Sequence, residues 1–332
     1  MNKKRKDTDY LCLSAQIRSM ECRLLSRAGM ERMLDAPTAE DAARVLTELG
    51  YPAFDPASES SLNRALLQRR VELFDRLGHA APDGQVVDVF KLKYDYHNLK
   101  AVIKSRGADV TALLVEAGRV PAQELQRRCR ESDRWDFLPP VMARAAVEAR
   151  RVLAETGDPQ RSDALLDRAC CEEMLQLAKE SRCDYLVDYV RVYIDAMNLR
   201  SVIRTLRMGR TAAFLKDFLF SGGTLSVDSV LKAAVNGEVE QLYRTTPLRR
   251  AAQAGIEAVE NSAGLTEFEK LCDDAVLSQA ARARRIPFGV EVVIGFIAAS
   301  EAELTAARII MTGRMAGISA DTIRERLRES YV

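Results

Sequence analysis

Apolar residues recur at three- and four-residue intervals along most of the chain, the period of one face of an α-helix. In Val71-Glu72-Leu73-Phe74-Asp75-Arg76-Leu77 they fall in this way, and Gly78 follows as a stop signal. Thr38-Ala39-Glu40-Asp41 carries a capping-box arrangement that starts another helix, which Gly50 and Pro52 end. The stretch from Met142 to Glu155 closes at Gly157-Asp158-Pro159, a second runs from Ser162 to Ser181, and a long one from Asp184 to Met208. No alternating segment of useful strand length interrupts them. With 17 Gly and 10 Pro among 332 residues, and with Ala, Leu, Arg and Glu abundant, side-chain entropy also favours helix. The pattern predicts an all-α fold.

One segment recurs inside that pattern. Lys91 to Lys104 matches Arg191 to Arg204 at a displacement of 100 residues, with acid, Asn, Leu, Val and Ile at the same places. A weaker third copy begins at Glu303; it keeps the base five residues later, Arg308, but has Ala306 where the others have Asn98 and Asn198. A second element follows each copy: Gly118-Arg119-Val120-Pro121 leading to Leu125, Gly223-Thr224-Leu225-Ser226 leading to Val230, and Gly317-Ile318-Ser319 leading to Ile323. Each is a glycine break, a short connection, a helix-starting Pro or Ser, and an apolar residue four positions on. Three helical repeats are therefore expected, over 1–130, 131–235 and 236–332, with pseudo-threefold symmetry or as a short solenoid.

On a helical wheel, Leu92, Tyr96, Leu99 and Ile103 form the apolar stripe of the first copy, and Val192, Ala196, Leu199 and Ile203 that of the second. Asp95 and Asn98 flank one side of the stripe, Lys100 and Lys104 the other. The four-residue spacing allows Asp95 to pair with Lys91 and Asp195 with Arg191. Two roles follow for the repeated polar residues. Asp95, Asn98, Asp195, Asn198 and Glu303 can clamp a neighbouring helix or loop. Lys100, Lys104, Arg200, Arg204 and Arg308 can offer positive charge from each repeat around an axis, as the lining of a funnel or ring that receives a partner with an acidic or polar tip.

Charge and composition narrow the classes of function. Lys and Arg number 49 against 48 Asp and Glu, so the chain lacks the basic field of a general nucleic-acid binder. The one charge run, Lys3-Lys4-Arg5-Lys6, reads as a frayed tail or as a contact with anionic lipid or a partner. Seven cysteines form no C-x-x-C pair and there are two histidines, which implies buried free thiols and neither a metal site nor a cofactor. The N-terminus shows no signal-peptide pattern, and the longest apolar run, Phe288 to Ala299, is broken by Glu291 and falls short of the ~20 residues that cross a bilayer. A soluble protein is expected.

Catalytic motifs are missing. The chain contains no phosphate-binding G-x-x-x-x-G-K-[ST], no G-x-S-x-G and no H-E-x-x-H. His97 reads as a surface or capping residue, Tyr94 and Tyr96 as packing residues, and Asp163 and Asp167 as a helix-start acid and a solvated face. The sequence points to a structural protein, with no catalytic residue and no small-molecule substrate.

Taken together, Asp95-x-x-Asn98-Leu99-Lys100, Asp195-x-x-Asn198-Leu199-Arg200 and Glu301-x-Glu303-x-x-x-x-Arg308-Ile309-Ile310-x-x-Gly313-Arg314 resemble the central-stalk subunit of rotary A-type and V-type ATPases, known as C or d. Pro287-Phe288-Gly289-x-Glu291-x-Val293-Ile294-Gly295-Phe296, the approach from Gly157-Asp158-Pro159 to Asp163 and Asp167, and the opening Tyr10 to Ser26 add to it, so the resemblance spans nearly the whole chain. It implies a three-lobed helical funnel, peripheral on the cytoplasmic face of the membrane. The funnel would receive the central shaft in its socket, rest on the proteolipid ring, and turn with both to couple ATP to proton or sodium transport. The competing expectation is a soluble α-solenoid scaffold that binds helical partners.

Overall fold

The computed structural model describes residues 6–131 and 134–331. Lys3, Lys4 and Arg5 of the basic run lie outside the described residues. Within them the chain is helical and contains no strand, as the periodicity predicts. It divides into two compact units: one is formed by the segment up to Gly84 together with the segment from Thr245 onward, the other by Gln85–Arg244. Packing thus partitions the chain differently from sequence likeness, because both chain ends enter the same unit.

The first unit opens with α1 (Leu11–Glu21), α2 (Arg27–Leu34), α3 (Ala39–Glu48) and α4 (Glu59–Ala80). Thr38 caps α3 as its sequence predicts, its hydroxyl accepting the Asp41 N–H at 3.1 Å. Gly78 does not stop α4: the helix continues to Ala80 and closes where the Ala81 N–H reaches the Leu77 carbonyl at 2.8 Å. A glycine near a helix end costs only about 1 kcal/mol against alanine, and the chain there adopts no left-handed turn.

The second unit holds α5 (Gln85–Ser105), α6 (Ala122–Glu131), α7 (Pro140–Thr156), α8 (Pro159–Glu180), α9 (Asp184–Arg207), α10 (Ala212–Asp217), α11 (Val227–Asn236) and α12 (Val239–Tyr243). Gly157 ends α7 at φ +67°, where a side chain would be strained. Helix α8 packs against α5, α7 and α9.

The chain then returns to the first unit with α13 (Arg249–Glu260), α14 (Thr266–Ala281), α15 (Val290–Met315) and α16 (Ala320–Arg326). Every residue from Val292 to Ser300 is buried, so α15 has no solvent face over that stretch. It packs against α1, α2, α3, α4, α14 and α16, which is why its apolar run is continuous although no helix among the described residues is long and apolar enough to cross a membrane. All seven cysteines are free thiols; four are buried, but Cys12 and Cys22 are exposed on and just after α1 and Cys129 is half-buried, so the expectation of burial fails for these three.

Candidate functional site

Helices α5 and α9 bury the acid and amide that the wheel puts at the edge of the stripe. Asp95 and Asn98 are 1% and 0% exposed, Asp195 and Asn198 2% and 0%. Each carboxylate faces a link that leads into a later short helix, α6 for Asp95 and α11 for Asp195. Asp95 Oδ1 accepts the backbone N–H groups of Arg119 at 2.7 Å and Val120 at 3.0 Å, and Oδ2 accepts Arg119 Nε at 2.9 Å. Asp195 accepts the N–H groups of Thr224 at 3.0 Å and Leu225 at 3.3 Å, together with the Thr224 hydroxyl. Almost one turn on, Asn98 both donates to and accepts from the Val115 backbone at 2.8 Å. Asn198 does the same with Phe220 at 2.9 and 2.8 Å. The links lack a ladder of their own, and these side chains supply partners to backbone groups that burial would otherwise orphan.

Glycine makes the approach possible. A Cβ on Gly118 would lie 2.1 Å from Asp95 Oδ1, and one on Gly223 2.1 Å from Asp195 Oδ1. The repeated Gly is therefore a requirement of the short aspartate reach. Burial pushes both aspartates above the usual carboxylate range, against hydrogen bonds from the links and from Arg119 or Thr224. The first copy adds a guanidinium, since Arg119 also binds Glu173 at 2.8 Å, and Glu173 accepts the Tyr96 hydroxyl at 2.9 Å. Asp95 is thus paired with Arg119 rather than with Lys91.

The third copy is closed by the other end of the chain. Glu303, 6% exposed on α15, accepts the Leu25 N–H at 3.0 Å on Oε2 and the Tyr51 hydroxyl on Oε1. Leu25 stands two residues before α2, as Val120 stands before α6 and Leu225 before α11. The fourth residues of those helices, Met30, Leu125 and Val230, are all buried. So the segment equivalent to the first two links is Leu24-Leu25-Ser26, and not Gly317-Ile318-Ser319. The latter starts α16 and buries Ile323, but it lies just beyond the end of α15, too close in sequence to fold back on Glu303.

Two substitutions follow from this permutation. Counting back from α2, the position of Gly118 and Gly223 is Arg23, which carries a Cβ; the acid there is Glu, one methylene longer than Asp. The position of Val115 and Phe220 is Met20, inside α1, whose carbonyl already accepts the Arg23 N–H at 3.0 Å. No orphaned pair remains for an Asn to serve, and Ala306 stands in its place.

The basic edge is less uniform than the wheel suggests. Lys100 is ion-paired with Asp167, and Lys104 with Asp163 at 2.8 Å, so the two acids read as a solvated face instead tie α8 to α5. Arg200 is half-buried, while Arg204 and Arg308 are exposed. His97 is exposed and lies 3.1 Å from the Leu113 carbonyl. Nothing in the residue pattern marks Arg119, Glu173, Tyr51 and Leu25 as the groups that complete the clamps, although Leu25-Ser26 followed by Met30 repeats the spacing of Leu225-Ser226 and Val230. Among the described residues no group of His, Cys, Asp and Glu could hold a metal ion.

Buried carboxylates that fasten links to long helices, repeated three times, define a helical scaffold whose repeated polar residues are internal braces. The whole chain compares accordingly: the model of the ATP synthase (C/AC39) subunit family matches residues 13–326, and the chain belongs to that family, whose members are structural components of rotary ATPases. It is 25% identical to the C subunit of the V-type sodium ATPase of Enterococcus hirae, over 97% of this chain and 99% of that one. It is also 24% identical to the C subunit of the A-type ATP synthase of Methanocaldococcus jannaschii, covering 96% and 86%. With the C subunit of the V-type ATP synthase of Thermus thermophilus the identity is 25%, covering 96% and 98%.

Proposed function

We propose that this chain is the central-stalk rotor subunit of a V/A-type ATPase, a non-catalytic adaptor on the cytoplasmic face of the membrane between the shaft and the proteolipid ring. The observation that carries it is the family match over residues 13–326 joined to a buried carboxylate clamp on each of three long helices. Torque passes through an adaptor only if its elements do not slide, and buried charge-assisted hydrogen bonds from rigid helices to the links resist sliding. Three clamped repeats suit an approximately threefold funnel. The basic residues we assign to the shaft socket are Lys100, Lys104, Arg200, Arg204 and Arg308.

Purification of the tagged chain from detergent-solubilised membranes tests the role. The rotor assignment expects shaft and proteolipid subunits in the same complex, lost after charge reversal at Arg204 and Arg308 if the socket is right. Recovery of the chain alone, in the soluble fraction, would favour the scaffold and overturn the adaptor.

A further inference from the structure

The first unit contains a cavity that the third clamp borders through Glu303. Its volume is about 470 Å³, and it is bounded by the end of α1, the turn after α3, one face of α4 and the middle of α15. That size is in the range of clefts that take small organic ligands. Three guanidiniums line it: Arg23 from the α1–α2 link, and Arg69 and Arg76 two turns apart on α4. Ion pairs at three- or four-residue spacing occupy many arginines of this chain, among them Arg127 and Arg151. Among the described residues, Arg23, Arg69 and Arg76 form no ion pair. Arg69 lies over the Tyr51 ring at 5.3 Å, and Arg76 reaches only the Met20 sulfur at 3.8 Å.

Two carboxyls face the same space. Glu303 has both oxygens engaged by Tyr51 and Leu25, and Glu72 accepts Gln68 Nε2 at 2.9 Å. Three fixed positive charges therefore exceed the negative ones. Apart from Ser300 the remaining wall is apolar, and includes Leu73 from α4 and Phe296 and Leu304 from α15.

We infer that this cavity is a binding site for an organic phosphate, its phosphate held by Arg23, Arg69 and Arg76 and its apolar body laid on Leu73, Phe296 and Leu304. Arginine forks match phosphate and carboxylate oxygens in pairs. Three forks offer more donors than the roughly four lone-pair sites of a carboxylate accept, whereas a phosphate monoester presents three charged oxygens. The apolar wall selects an organic ester over the bare ion.

Calorimetry on the full chain tests this with phenyl phosphate, inorganic phosphate and benzoate. Phenyl phosphate is expected to bind at least tenfold more tightly than either of the others. Arg76→Gln and Arg23→Gln, both at exposed positions that leave the clamp intact, are each expected to weaken it about tenfold, while Arg128→Gln on α6 leaves it unchanged. Unliganded melting temperatures equal to the parent's show that the variants are folded. No binding of phenyl phosphate at millimolar concentration, benzoate binding as tightly, or undiminished affinity in the Arg23→Gln/Arg76→Gln double variant would each overturn the assignment.

Discussion

The Leu25 N–H donates to Glu303 Oε2 at 3.0 Å across 278 residues of sequence. That bond joins the first link of the chain to its last long helix, so the N-terminal segment completes the third repeat. Glu303→Ala leaves the Leu25 N–H and the Tyr51 hydroxyl without their partner in a buried site, at a cost of about 2–4 kcal/mol. Chemical denaturation checks it, and Glu303→Gln, which keeps one acceptor for Leu25, is expected to cost less. A loss below about 0.5 kcal/mol in the alanine variant would mean that the clamp does not contribute to stability.

Gly118 and Asp95 should behave as one unit. The Cβ of Gly118→Ala would overlap Asp95 Oδ1, so either the link or α5 must shift, and the expected loss is at least about 2 kcal/mol. In an Asp95→Ala background the obstruction is gone, and the same substitution should cost less by about 1 kcal/mol or more, a coupling that a double-mutant cycle measures. Gly223 and Asp195 should repeat the result. Additive losses at both pairs would refute the close approach as the reason for the glycines.

The fold class is readable in the residues because helix period and propensity agree along the whole chain. The first two clamps are partly readable: Asp95, Asn98 and Gly118 recur as Asp195, Asn198 and Gly223. What they do is not, because a wheel ranks residues by angle and cannot show that a link folds back over the polar edge. The third clamp is hidden for a different reason. Forward of Glu303 the sequence offers the look-alike Gly317-Ile318-Ser319, while the equivalent link, Leu24-Leu25-Ser26, lies near the other end of the chain. Lys100 and Lys104 look available because Asp163 and Asp167 sit on another helix, and ion pairs between helices leave no spacing in the sequence.

Lys100→Glu illustrates the consequence. Lys100 and Asp167 are both about three-quarters buried at the side chain, with 21% and 31% exposed, so reversing the charge places two carboxylates together in a partly desolvated site. The expected loss is about 2 kcal/mol, intermediate between an exposed pair and a buried one. Adding Asp167→Lys should recover a substantial part of it. Thermal unfolding of the two variants decides the point, and equal stability of Lys100→Glu and the parent would show that the pair contributes nothing.

Asp274 on α14 gives the fold a pH dependence near neutrality. Burial, with smaller contributions from the Glu329 and Asp273 carboxylates, pushes its carboxyl up to about 6, against a hydrogen bond from the Glu329 N–H at 2.8 Å. A carboxyl whose folded value lies above its unfolded value binds its proton more tightly in the folded state. The stabilisation it brings is complete below about pH 4 and disappears as pH rises through about 6. Asp274→Asn keeps an oxygen for the Glu329 N–H and cannot ionise. It should therefore match the parent at pH 4 and exceed it at pH 8 by about 1 kcal/mol after solvent screening, a few degrees in melting temperature. Melting curves across that range check both ends, and an asparagine variant that gains nothing at pH 8 would show that the ionised carboxylate is already well accommodated.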